Sequence, residues 1–324
     1  MNIDELKRKL SFLGKKENLS TTVYFLLRNE KREYLLRCAD IEDALNKKLS
    51  EIFAENLLDV INKEGLSIKD YSQADARDNV IFEFDLLEQP EEFNCIETCS
   101  KDTLNQFERF NFSKDGDLHK IFGIIATVEE NGVPENSITV FRKQMSIEVL
   151  SQGKKLYIFP DDTRLSLLST PIISINGAID LFMYGGKFFL INLKMLERFF
   201  GLNNVIIKQA KSCLARVDSL NLVEDITPLY EAVTNVSFAK KMIKAVPNSP
   251  VLYLNPDDVI AFSKTHPFLK GNIKLSKDQK KFDLRNKKSQ LFFIKLLNDD
   301  YLQSNLTKLF YDSLAKDQLK IENA

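Results

Sequence analysis

The feature that most constrains this chain is a ladder of short branched and aromatic runs between residues 120 and 192. The runs 120–128, 137–145, 155–159, 172–175, 179–184 and 187–192 read as strands. Turn dipeptides punctuate them: Asn131-Gly132, Gln152-Gly153, Asn176-Gly177 and Gly185-Gly186. Parallel neighbours would each need a crossover of a dozen or more residues, and the spacing leaves no room. The centre of the chain is therefore expected to be a mainly antiparallel sheet.

The flanks follow the same logic. Residues 22–28 and 33–38 are rich in aromatic and branched side chains, and the polar stretch between them is of hairpin size. A helix should follow, capped by Asp40. Its apolar stripe would be Ile41, Leu45, Leu49, Ile52, Phe53, Leu57, Val60 and Ile61, with a stop at Gly65. Another strand is expected around 80–84.

The last third reads as helices over 193–200, 205–220, 228–234, 237–245, 257–269, 286–297 and 300–316. Short strands are expected at 251–254 and 273–275. Only 11 Gly and 9 Pro beside 24 Phe fit regular elements with short connections. Strands first and helices afterwards indicate an α+β fold rather than a doubly wound sheet. The expected organisation is an N-terminal α+β region over 1–115 and a core over 116–324. That core divides into a sheet at 120–192 and a helical, basic part at 193–324.

No apolar run approaches the 18 or so residues of a bilayer span, and the first residues lack the apolar stretch of a signal peptide. A cytoplasmic location is expected. Cys38, Cys95, Cys99 and Cys213 are too sparse for a disulfide framework and read as reduced thiols. Cys95 and Cys99 would share a helix face, but neither histidine stands at a zinc-like spacing from them. No cofactor is expected.

Catalytic patterns are thin. There is no Walker loop, no GxGxxG after a strand and no GxSxG elbow. His119 and His266 are expected at the surface. Metal-dependent nuclease chemistry needs converging carboxylates and a lysine. Asp161, Asp162 and Asp180 are the candidates, yet Asn192 stands where the next strand should supply an acid. Binding rather than catalysis is the expected role, with a nuclease as the rival.

The charges are nearly balanced, 45 Lys+Arg against 46 Asp+Glu, which argues superficially against a polyanionic partner. They are segregated, however. Residues 51–102 carry 14 acids and 4 bases, while residues 264–295 carry 10 bases and 2 acids. A block at +8 over about 30 residues attracts phosphate backbones. The expected DNA contacts are Lys274, Lys277, Lys280, Lys281, Arg285, Lys287 and Lys288. Lys208, Lys211 and Arg216 of the 205–220 helix are expected to assist. Arg142, Lys143, Lys154 and Lys155 are further bases near hairpin ends. The block could alternatively dock on the acidic segment or on a partner.

Two stretches carry a family resemblance. Residues 178–200 read AIDLFMYGGKFFLINLKMLERFF, and residues 296–319 read LLNDDYLQSNLTKLFYDSLAKDQL. In the first, Asp180, a hairpin, Asn192 and Leu196-Glu197-Arg198-Phe199 match. In the second, Leu297, Asn298, Asp299, Asp300, Tyr301, Ser304, Leu306, Thr307, Tyr311 and Lys316 match. Over roughly residues 120–318 the chain resembles the KwaB family, the soluble component of the Kiwa anti-phage defence system. The resemblance implies a cytoplasmic defence protein that binds DNA largely without sequence specificity. It also implies a small multi-span membrane partner, KwaA-like, that recruits the chain to the inner face of the membrane. No functional residue is carried over from the family. The second stretch also has a structural reading, with Asp299 or Asp300 capping a last helix. Its stripe of Leu302, Leu306, Leu309, Phe310 and Leu314 would be core or the seam of a homodimer.

Overall fold

A computed structural model of the chain describes residues 1–73, 79–101, 106–111, 118–145, 149–150, 158–161, 164–167, 172–247, 249–303 and 310–312. Its contacts divide into two units. Unit 1 is Met1–Asp85 with Gln89–Leu202, and unit 2 is Leu86–Glu88 with Asn203–Ala324.

In unit 1, α1 (Ile3–Lys9) leads to β1 (Leu19–Arg28), β2 (Tyr34–Cys38), α2 (Asp43–Ile61), β3 (Ser67–Asp70), β4 (Val80–Glu83) and α3 (Glu91–Ser100). The long strands β5 (Ile121–Glu130) and β6 (Val133–Lys143) follow. Four short strands come next: β7 (Val149–Leu150), β8 (Ile158–Asp161), β9 (Arg164–Leu167) and β10 (Ile172–Ile173). The unit closes with β11 (Leu181–Tyr184), β12 (Lys187–Leu190) and α4 (Leu193–Phe199).

Eight of these strands form one sheet in the order β2-β1-β5-β6-β11-β12-β4-β3. All neighbours are antiparallel except β3 and β4. The N-terminal hairpin and the central strands thus share a sheet. On one face Leu49, Phe53 and Leu57 of α2 join Leu6 and Leu10 in the core cluster with Phe25, Ile124, Val128, Val140 and Phe182. Phenylalanines pack together elsewhere in the unit: Phe93 stacks on Phe188 at 4.2 Å, and Phe141 meets Phe200 edge-on at 4.9 Å. Seven of the first eight residues of β5 carry side chains, all are buried, and the gap is Gly123. A Cβ there would lie 2.4 Å from Cε2 of Phe141, so only glycine lets that ring lie against the strand.

Unit 2 begins with α5 (Leu202–Asp218), α6 (Thr227–Ala232), α7 (Val236–Ala245) and α8 (Pro256–Thr265). A hairpin of β13 (Lys274–Leu275) and β14 (Phe282–Asp283) precedes α9 (Lys287–Leu297). A second strand pair, β15 (Tyr301–Gln303) with β16 (Phe310–Asp312), ends the described chain. Phe282 and Phe293, both fully buried, meet at 5.3 Å.

The α+β expectation holds, with local corrections. Residues 300–316 are not one helix, because Asn298, Asp299 and Asp300 end α9 instead of starting a new element. Asp299 adopts a left-handed φ of 54°. Its N–H bonds to the Leu296 carbonyl, and that of Asp300 bonds to Lys295, the double bond pattern of a Schellman close. Residues 251–254 form no strand: Val251, Leu252 and Tyr253 lie in the 3-10 turn Pro250–Tyr253, which proline starts readily, and Leu254 follows as its C-cap. Asp40 does not cap α2: Glu42 holds the N-cap position, and the Asp40 carboxylate accepts from Arg109 at 2.7 Å. Asn176-Gly177 is not a hairpin turn, since β10 pairs with β7 and Asn176 Oδ1 accepts from the Ala178 N–H. Gln152-Gly153 lies outside the described residues. His266 is buried rather than exposed, packed against Phe262, Phe268 and Tyr301.

Candidate nucleic-acid interface

The β13–β14 hairpin is built to hold its turn without using its lysines. The Ser276 hydroxyl donates to Asp278 Oδ1 at 2.5 Å, and the same oxygen accepts from the Lys280 N–H at 3.1 Å. Those bonds hold the Asp278 carboxyl below its usual range. The Lys281 N–H donates to Ser276 Oγ at 3.0 Å, and Gln279 takes a left-handed φ of 58°. Lys277 and Lys280 are left exposed at the tip; Lys280 acts on Asp278 through its charge, and neither side chain forms an ion pair among the described residues.

Two further bonds seat the hairpin in unit 2. The Lys274 N–H donates to Ser289 Oγ of α9 at 3.1 Å, and Lys281 Nζ donates to Asn221 Oδ1 at 2.5 Å. Lys274, Lys277, Lys280, Lys281, Arg285, Lys287 and Lys288 therefore belong to one hairpin-and-helix assembly. Arg285 is the committed member: its Nε donates to Asp283 Oδ1 at 2.8 Å and its Nη2 to Oδ2 at 2.5 Å. That fork holds the Asp283 carboxyl down at about 2.

The start of α9 is electrostatically unusual. Asn286 caps it through the Ser289 N–H at 2.8 Å, but its first turn carries Lys287 and Lys288 and no acid. Cations there oppose the helix dipole, an unfavourable term that a bound anion reverses. Lys288 lies 5.9 Å above the Phe292 ring, which positions it without neutralising it.

The α5 bases are differently engaged. Lys208 pairs with Glu88. Arg216 donates to the Tyr253 hydroxyl at 2.8 Å and lies 5.5 Å over that ring. Lys211 is exposed. The acids of the 51–102 segment find partners such as Lys16 for Glu55, Lys187 for Glu83 and Lys101 for Glu97.

One contributor escaped the sequence reading. Lys241 of α7 lines a groove of about 520 Å³ together with Arg285, Lys287 and Gln290. It lies outside the 264–295 block, and only the packing of α7 on α9 brings it to the others.

The acids considered for metal chemistry serve the sheet or lie beyond description. Asp180 is buried and accepts from the Lys143 N–H at 2.7 Å and Asn192 Nδ2 at 2.8 Å. It staples the ends of β6, β11 and β12, and burial pushes its carboxyl upward. Asp162 and the Asp161 side chain lie outside the described residues, as do Lys154 and Lys155. Among the described residues no three His, Cys, Asp or Glu side chains converge as a metal site. Cys95 and Cys99 lie on α3 and form no disulfide, and burial raises Cys95 to about 11.

A family model described as Kiwa protein KwaB-like matches residues 118–307. The chain is 31% identical to the Kiwa protein KwaB of Escherichia coli O55:H7 (strain RM12579 / EPEC), covering 98% of this chain and 99% of that one. The chain belongs to the KwaB family. No solved structure matches it. The KwaB match runs from β5 through β15, so it takes in the Asp180 staple, the β11–β12 hairpin and all ten basic candidates. No helix among the described residues is long and apolar enough to cross a membrane.

Proposed function

We propose that this KwaB-family chain serves anti-phage defence by holding duplex DNA on the basic hairpin and α9 of unit 2, without reading its sequence. The observation that carries this reading is the first turn of α9. Lys287 and Lys288 stand against the helix dipole there, beside a hairpin whose tip lysines Lys277 and Lys280 form no ion pair among the described residues. Lysines act on phosphates as mobile point charges, which gives affinity and positioning but no base discrimination. A homodimer would double the number of phosphate contacts. Anchoring at the membrane would come from a KwaA-like multi-span partner, a role suggested by the family resemblance.

Replacing Lys277, Lys280, Lys281, Lys287 and Lys288 together with Glu should weaken retention of duplex DNA to a residue measurable only at low salt, while the circular dichroism spectrum is unchanged. At about 0.9 per phosphate contact, the loss of up to five contacts should flatten the slope of log affinity against log salt by about 4.5. An unchanged slope moves the interface elsewhere. Co-expression with a KwaA-like protein should shift the chain from the soluble to the membrane fraction. A chain that stays soluble would count against the partner. Cleavage of plasmid with Mg²⁺, lost in Asp180→Ala, would replace this binding role with a nuclease.

A further inference from the structure

Unit 1 contains a second basic site, at one end of its sheet. The antiparallel order β1-β5-β6 brings the last residue of β1, the entry to β5 and the exit of β6 to the same end. Leu27 is paired with Ile121 and Gly123 with Lys143, so Arg28, Lys120 and Lys143 converge there. They line a cleft of about 420 Å³ with Phe122, Gln144 and Phe199, and no carboxylate is among its described lining residues. That volume lies within the range of small-ligand sites.

Two buried polar atoms of this cleft have no hydrogen-bond partner. Arg28 is only partly exposed, and its Nε is buried with no hydrogen-bond partner. Its guanidinium instead rests 5.2 Å from the Phe122 centroid and 5.5 Å from that of Tyr34. The nearby acid Glu92 accepts from the Tyr34 hydroxyl. Gln144 is buried as well, and its Oε1 has no donor. Lys143 Nζ lies 4.5 Å over Phe122 and 5.1 Å over Phe199 and donates to the Gln144 carbonyl at 2.6 Å. Lys120 is exposed at the rim.

Glu92 feels the Arg28 charge, but the buried Nε of Arg28 still has no acceptor, an expensive arrangement unless a ligand completes it. The group that fits is a compact, multiply charged oxyanion, because guanidinium and phosphate pair through parallel N–H···O bonds. A second cation at the rim and an aromatic wall suit a phosphate joined to a larger apolar-faced body. We infer that the cleft between Arg28, Lys120 and Lys143 is a binding site for a terminal phosphate of nucleotide size, separate from the basic surface of unit 2. The phosphate can come from a free nucleotide or from the phosphorylated end of a DNA strand.

Calorimetric titration of the full chain with pyrophosphate, ADP, and 5′-phosphorylated and 5′-hydroxyl oligonucleotides tests this. Saturable ADP or pyrophosphate binding at one site per chain is expected. Lys120→Glu, at an exposed position, should weaken it at least tenfold, and Arg28→Gln should do the same if its circular dichroism is native. Displacement of ADP by the 5′-phosphorylated strand and not by the 5′-hydroxyl strand assigns the strand end. Binding of ADP without that displacement assigns a free nucleotide. The inference is overturned if none of the phosphate-bearing probes binds saturably, or if Lys120→Glu leaves binding unchanged. Loss of ADP binding in the five-lysine variant would overturn it too, by placing the phosphate in unit 2.

Discussion

Two residues show how much single side chains decide here. Gly123 leaves room for Phe141 inside a strand buried on both faces. Gly123→Ala should push that ring out of place and destabilise the protein by about 1–3 kcal/mol, visible as a lower urea midpoint. Asp283 is the other. Its carboxyl sits at about 2 when folded, against 3.8 ordinarily, because Arg285 grips it. The folded value lies below the unfolded one, so the contact stabilises the fold above about pH 4 and fades as pH falls toward 2. The urea midpoints of wild type and Arg285→Met should differ most near pH 5 and converge near pH 2. A gap that persists at pH 2 would assign Arg285 another role in stability.

Among the elements, α9 joins stability to the proposed DNA contact. Reversing Lys287 and Lys288 to Glu places anions at the helix N-terminus, where each should add about 0.3–1 kcal/mol. The double variant should therefore melt at a higher temperature and hold DNA more weakly. A lower melting temperature would mean that the lysines serve packing, through Lys288 and Phe292 for instance. The elements also show what the sequence made legible. Asn131-Gly132 and Gly185-Gly186 announced their turns because the backbone needs left-handed φ there, 79° at Gly132 and 57° and 75° at the pair. The lysines of 264–295 were legible as a block because they are contiguous. The Schellman close at Asp299 was not, since aspartate next to a polar run reads equally well as an N-cap. Lys241 and the Arg28–Lys120–Lys143 cleft were hidden because their members are far apart in sequence and meet only through strand order and helix packing.

At the scale of the whole molecule, each unit has its own core, one around Phe53 and Phe182 and the other around Phe282 and Phe293. Phe293→Ala should cost unit 2 about 3–5 kcal/mol. Scanning calorimetry should then show one transition moving to lower temperature while a second, from unit 1, stays in place. A single transition that moves as a whole would show that the two cores melt together. The hairpin turn at 276–281 has a consequence on a longer timescale. Its shape is held by Ser276, Asp278 and the main chain, so the side chains of Lys277 and Lys280 can be exchanged without refolding the turn. If the hairpin grips DNA as proposed, lineages under pressure from changing viruses can retune that grip one charge at a time, like a dial, while inheriting the scaffold intact.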